Sequence, residues 1–319
     1  MFDLTPRGKR KFSMRNTFNI ELGYKDGILV KADKMLNGFE RPTEWTPALD
    51  PGYEFSLEET KALLMGIEMK DNILLTGDTG VGKTSLVEQV AARLNYNVVK
   101  INFDRSVTKQ DLIGEWVVKD KNMDFQYGIL VHAFQMPGTI ILLDEWDAIS
   151  HECAFVLQRP LERYDRRILI MEKGGELIPL HPDNVIIATA NTNGQGDDTG
   201  LYSHGTSVQN YAQINRFSMT IRMKYMSEQK ELQMLQKRFP VLQSGERVAF
   251  CRTISLLRDG FTRGDLSVPL SHRDLINWAE KYITSGDYMW SAKYCFLNRM
   301  SPEDALVSEQ IIKRVVDAK

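Results

Sequence analysis

The segment Gly77-Asp78-Thr79-Gly80-Val81-Gly82-Lys83-Thr84 constrains this chain more than any other. It has the spacing G-x-x-x-x-G-K-[ST], follows the apolar run 72–76 and opens a helical stretch over 84–94. A strand, a glycine-rich loop and a helix in that order belong in an α/β sheet with ligands at the carboxyl ends of its strands. Glycines let the backbone wrap until its N–H groups converge on phosphate oxygens. The helix behind the loop adds its positive end. Gly77, Asp78, Thr79, Gly80, Val81, Gly82, Lys83, Thr84 and Ser85 are therefore the candidate cradle for ATP. Lys83 is expected to reach the β- and γ-phosphates, and Thr84 to give its hydroxyl to Mg²⁺.

A second signal is Ile140-Ile141-Leu142-Leu143-Asp144-Glu145, an apolar strand ending in two acids. Asp144 suits the Mg²⁺ shell, and Glu145 suits a base that polarises the attacking water. Read alone, the pair is equally a helix start with acids favoured by the dipole. Val185 to Asn191 is another apolar strand with a polar end, where Asn191 can orient the water or touch the γ-phosphate. Arg216 precedes a further strand and suits a finger for a neighbour's nucleotide, a contact on the order of 10³ to 10⁵ in rate elsewhere. Arg273, after Leu270-Ser271-His272, is a candidate to close on the γ-phosphate from a second domain. Asn102, at the end of the 97–102 strand, is a candidate contact for Glu145. The polar loop with Asp197, Asp198, His204 and Thr206 carries no assigned role.

Short apolar strands at 72–76, 97–102, 140–143, 185–190 and 219–223 alternate with helical stretches, the pattern of a parallel sheet covered on both faces. Polar turns predict two hairpins, at Trp116 to Tyr127 and Ile168 to Leu180. Ser56 and Glu59 predict a capping box for a helix running to Met69. Arg41 to Pro51, with three prolines, reads as an extended connector. Beyond about Met226 the pattern is helical. The expected organisation is a basic tail with a small strand-rich segment over 1–40, an α/β core over 41–225 and a helical lid over 226–319.

A formal net charge of −2 gives no basic excess for nucleic acid. The local exception is Arg7, Lys9, Arg10, Lys11 and Arg15, expected to be a solvated, unstructured tail rather than an arm for an acidic partner. Cys153, Cys251 and Cys295 have no paired spacing, so a cytoplasmic setting is expected. No apolar run approaches bilayer length.

The P-loop, Asp144-Glu145, Asn191, Arg216 and Arg273, in this order, resemble AAA+ ATPases. The hairpin within Asp111-Leu112-Ile113-Gly114 to Tyr127-Gly128-Ile129-Leu130 looks like the helix-2 insert of the MoxR-like branch. Glu88 to Asn95, Phe155 to Arg159, Ala188 to Thr192, Gly196 to Tyr202 and Trp278-Ala279-Glu280 are similar to the ATPase subunit of aerobic cobaltochelatase. The resemblance runs from about Arg41 to the end and departs at 78–81, Trp146 and the basic start. It implies an AAA+ core with a five-stranded parallel sheet, a helical lid and a hexameric ring. It also implies a partner bearing an integrin-like metal-binding domain and a large chelatase subunit that inserts Co²⁺ into a corrin. Two other readings stand beside this one: a MoxR-like remodelling ATPase on another protein target, and an ATP-dependent assembly module with negligible turnover.

Overall fold

The computed structural model describes residues 2–20, 23–25, 28–30, 33–104, 106–191 and 211–318. The chain divides into two compact units. One comprises Met1–Leu49, Phe55–Gly77 and Lys83–Met223; the other comprises Asp50–Glu54, Asp78–Gly82 and Lys224–Lys319.

The first unit is built on a five-stranded sheet in the order Met219–Arg222, Ile73–Thr76, Val185–Ala190, Thr139–Asp144, Asn97–Asn102, with every neighbouring pair parallel. The three central strands are buried along their whole length, which is why their sequences are nearly continuous runs of Ile, Leu and Val. Ile140, Ile141, Leu142 and Leu143 are all 0% exposed. Burial of each such side chain contributes roughly 2 kcal/mol. Helices Leu57–Met69 and Lys83–Leu94 cover the sheet, with Leu63, Leu86, Val87 and Val90 buried beneath them.

Register fixes what meets at the sheet's carboxyl edge. Asn102 pairs with Asp144, Ala188 with Leu143, and Ala190 with Thr76. The ends of the P-loop strand, the acidic strand and the asparagine strand are thereby brought side by side. The two predicted hairpins are present as Gly114–Lys119 with Asn122–Tyr127, and Arg167–Ile170 with Glu176–Pro179.

Two local expectations fail. Ser56 occupies the N-cap of its helix but makes no side-chain cap hydrogen bond; Glu58 and Glu59 in the first turn supply the acids that the helix's positive end favours. The basic start is not an unstructured tail. Lys9–Ser13 pairs antiparallel with Met35–Phe39, and the Arg7 guanidinium donates to the carbonyls of Arg41 (2.7 Å) and Asn95 (2.6 Å) while lying 4.3 Å from the Phe39 ring centre. A forked donor that satisfies carbonyls far along the chain anchors a segment that composition alone reads as solvated.

The second unit packs helices Glu228–Arg238, Ser244–Arg263, His272–Ser285, Tyr288–Cys295 and Pro302–Asp317 around Phe250, Trp278 and Phe296. Ser271 and Asp274 form a reciprocal capping box at the start of the third of these helices. Among the described residues, no helix is long and apolar enough to cross a membrane.

Candidate nucleotide site

The loop conforms to the demands of a phosphate cradle. Gly77, Gly80 and Gly82 have φ of 143°, 77° and 94°, a region L side chains rarely enter. At Gly80 sterics add to torsion, since an added Cβ would lie 2.1 Å from the Cβ of Ser271. Helix Lys83–Leu94 starts directly after the loop, so its unpaired N–H groups and positive end lie at the cradle. Lys83 is buried to 8% exposure; its ammonium donates to the Gly77 carbonyl (2.6 Å) and to Asn191 Oδ1 (2.9 Å). Residues 108 positions apart are thus joined beside the loop.

Thr84 Oγ1 donates to Asp144 Oδ1 at 2.9 Å. A hydroxyl and a carboxylate at that spacing are the hard oxygen donors Mg²⁺ takes while keeping several waters, so these residues fit the ion. Burial alone would raise the Asp144 carboxyl, but hydrogen bonds from Lys100, Thr189 and Thr84 outweigh it and hold the group below its ordinary value. Asp144 is therefore ionised. Glu145 behaves oppositely. Burial and then the charges of Asp144 and Asp147 push its carboxyl up, the direction a general base needs. Glu145 also sits at φ 57°, in a left-handed conformation rare for a non-glycine residue. Its N–H donates to Thr189 Oγ1 (3.2 Å), and the Asn191 N–H donates to Asp147 Oδ2 (2.9 Å), tying the two strand ends together.

Arg216 lies elsewhere. Its carbonyl accepts from Asn72 Nδ2 (3.1 Å), and Asn72 precedes the first residue of the P-loop strand. Lys83 follows that strand's last residue by way of the loop. In a parallel sheet, Arg216 is therefore at the edge opposite the cradle. Its guanidinium pairs with Glu162 and donates to the Gln158 carbonyl (3.0 Å).

A family model described as "AAA domain (dynein-related subfamily)" matches residues 72–203. The aerobic cobaltochelatase subunit CobS of Sinorhizobium sp is 37% identical over 289 residues, covering 88% of this chain and 86% of that protein. The chain belongs to the CobS-like family of MoxR-type AAA+ ATPases. Protein NorQ of Paracoccus denitrificans is 34% identical over 119 residues, 37% of this chain and 43% of NorQ. The extended conformation of an S. cerevisiae Hsp104:casein complex shares the fold, with a TM-score of 0.52 at 15% identity over 73% of this chain and 44% of that one.

The CobS-like chain is an ATP hydrolase with an AAA+ core and a helical carboxyl-terminal region. In its second unit, Arg273 is exposed on the first turn of helix His272–Ser285, two residues beyond the Ser271 that abuts Gly80. Tyr225 Oη donates to the Thr79 carbonyl (2.8 Å), a bond within that same unit. Asn102 is placed beside Asp144 by register. The Gly196–Thr206 loop of the CobS-like ATPase, with Asp197, Asp198, His204 and Thr206, lies outside the described residues.

Sequence reasoning passed over four residues of this ATPase: Lys100, Thr189, Asp147 and Tyr225. Lys100 Nζ lies 2.8 Å from Asp144 Oδ2. A charge inside the otherwise apolar run Val98 to Ile101, two positions before Asn102, was the available signal. Thr189 carried one too, as a hydroxyl inside an apolar strand; its Oγ1 bonds to Asp144.

Proposed function

We propose that this CobS-like ATPase hydrolyses Mg-ATP in a hexameric ring and uses the cycle to drive remodelling of a partner, as the motor subunit of a cobaltochelatase. The observation that carries the ring is the separation of Lys83 and Asn191 at one sheet edge from Arg216 at the other. A nucleotide held by one chain needs the arginine of the next, which makes turnover depend on assembly.

Within one site, the loop amides and Lys83 bind and orient the triphosphate. Asn191, held to Lys83, fixes the attacking water against the γ-phosphate, and Glu145 takes that water's proton. Thr84 and Asp144 would hold Mg²⁺, whose chemistry there is neutralising charge across the β- and γ-phosphates. Arg273 is the candidate to read the γ-phosphate.

A 37% identity over 86% of a cobaltochelatase subunit supports cobalt insertion into a corrin as the work done, with a large chelatase subunit and an integrin-like metal-binding protein as the proposed partners. The NorQ likeness favours the second reading, a MoxR-like remodelling ATPase whose partner bears the integrin-like domain alone. An assembly module with negligible turnover is disfavoured by the presence of Glu145, Asn191 and Arg216 together. Either surviving reading is set in the cytoplasm.

The experiment is a Glu145→Gln trap. With ATP it should form hexamers by native mass spectrometry and retain its partners through a pull-down. Capture of a large chelatase subunit supports the first reading, and capture of a lone integrin-like protein the second. Failure to assemble with ATP, or parental phosphate release by the variant, overturns the mechanism.

A further inference from the structure

At the sheet edge opposite the nucleotide cradle, the first unit holds a cavity of about 330 Å³ lined by Lys70, Asp71, Arg163, Arg166 and His181 among others. Lys70, Arg163 and Arg166 line it together with one carboxylate, that of Asp71. They come from separate parts of the chain: Lys70 caps helix Leu57–Met69, Arg163 and Arg166 precede strand Arg167–Ile170, and His181 precedes strand Val185–Ala190. The ATPase mechanism uses none of them.

The cations are under-compensated. Arg166 Nε is buried and has no hydrogen-bond partner. Lys70 Nζ donates to a backbone carbonyl, that of Asp183 (2.7 Å), and not to a carboxylate. The Asp183 side chain is engaged by Lys9 Nζ at 2.6 Å and lies 3.9 Å from His181 Nδ1. Asp71, the one acid in the lining, already accepts from Ser218 Oγ (2.8 Å). Burial outweighs the pull of Asp183 and Glu68 on Lys70 and of Asp71 on Arg166, so both cations lie below their ordinary values. A folded chain offsets such a cost when an anion arrives.

We propose that this cavity binds a phosphoryl oxyanion, gripped by Arg163, Arg166 and Lys70. A tetrahedral dianion presents three acceptor faces to three cations, whereas a lone carboxylate presents two oxygens in one plane. Two sources supply such a group: free phosphate, or the polyphosphate of a nucleotide carried by a neighbouring copy. The second source rests on the ring proposed above, because Arg216 shares this edge. Asn72 bonds both Leu161 and Arg216 carbonyls, and Asp71 bonds Ser218. The first source needs no ring.

The test uses the full chain with Lys83→Ala, which silences the P-loop, and titrates inorganic phosphate and tripolyphosphate calorimetrically at constant ionic strength. Saturable binding should persist in Lys83→Ala and weaken at least tenfold when Arg166→Gln or Lys70→Met is added. Circular dichroism confirms folding, and Arg166→Lys should keep part of the affinity. In a second arm, with Lys83 intact, Arg166→Gln should leave single-chain ATP affinity unchanged. If the ligand is a neighbour's nucleotide, that variant should raise at least tenfold the protein concentration needed for ATP-dependent assembly. Free-anion binding without an assembly defect assigns the site to phosphate in solution. Absence of both effects, in variants that fold, overturns the proposal whether or not the ring reading holds.

Discussion

Lys100 Nζ and Asp144 Oδ2 lie 2.8 Å apart, on the same carboxylate whose other oxygen accepts from Thr84. The ammonium supplies positive charge where a divalent ion would supply it, so metal entry must loosen this pair. Lys100 is 41% exposed in its side chain, and an ion pair that open contributes about 0.2 to 1 kcal/mol. Lys100→Met is therefore expected to tighten Mn²⁺ binding to the ADP-loaded protein by roughly two- to fivefold. Electron paramagnetic resonance of free Mn²⁺ measures this directly; unchanged or weaker binding would show that Lys100 does not compete with the metal.

The chemistry-bearing strand ends were legible in sequence because their signals are local. Gly77 to Thr84 carries its own torsional demands, and Asp144-Glu145 marks the place where an apolar run stops. Lys100 and Thr189 stood out only as a charge and a hydroxyl inside apolar strands; what they do depends on register, which brings Asn102 level with Asp144 and Ala188 level with Leu143. The basic start was misread for a related reason: what orders Arg7 is a set of carbonyls at Arg41 and Asn95, far from it in sequence. Composition measures how much charge a segment has, but not whether distant backbone is waiting for it.

The second unit contains a buried ion pair open to a direct stability test. Arg258 Nη1 lies 2.7 Å from Glu231 Oε1, with side chains 10% and 1% exposed, and His272 Nδ1 lies 2.6 Å from the same oxygen. Glu231→Ala strands the Arg258 guanidinium in a dry site and is expected to cost about 3 to 5 kcal/mol in urea unfolding. The Glu231→Met, Arg258→Met double variant should lose much less, because it removes both charges together. Arg258 also stacks 4.3 Å from the ring centre of Tyr225, whose hydroxyl holds the Thr79 carbonyl, so the single variant should weaken nucleotide binding too. Equal losses in the single and double variants would mean that packing, not charge, dominates there.

Lys70 makes stability depend on pH in the alkaline range. Burial lowers its ammonium from 10.5 to about 8, against the raising influence of Asp183 and Glu68. Between those two values the unfolded chain holds a proton that the folded chain has released, so this group's contribution to stability rises with pH. Below about pH 8 the folded chain carries the full cost of a buried charge, about 3 kcal/mol at most. Lys70→Met should therefore be most favourable relative to the parent below pH 8, with the advantage shrinking as pH climbs to 10.5. Paired melts across that range measure the slope, which the lost bond to the Asp183 carbonyl does not affect. A flat difference would show that Lys70 titrates alike in both states.

Arg216 and Lys83 sit at opposite edges of one sheet, bracketing a P-loop strand of four residues. At about 3.3 Å per residue that strand alone separates them by more than 10 Å, beyond what one side chain spans while keeping its bond to Gln158. An arginine so placed suits the proposed finger for a nucleotide held by another copy. Arg216→Ala should bind ATP normally and lose on the order of 10³ in turnover. Glu145→Gln should be similarly inactive, having lost its proton acceptor. Mixing the two inactive proteins should restore part of the activity, because some interfaces then pair an intact Glu145 with an intact Arg216 from the next chain. Steady-state phosphate release, measured across mixing ratios, should peak near equal amounts. If mixed rings form, as native mass spectrometry can establish, and release remains at the level of the single variants, Arg216 acts within its own chain or not at all.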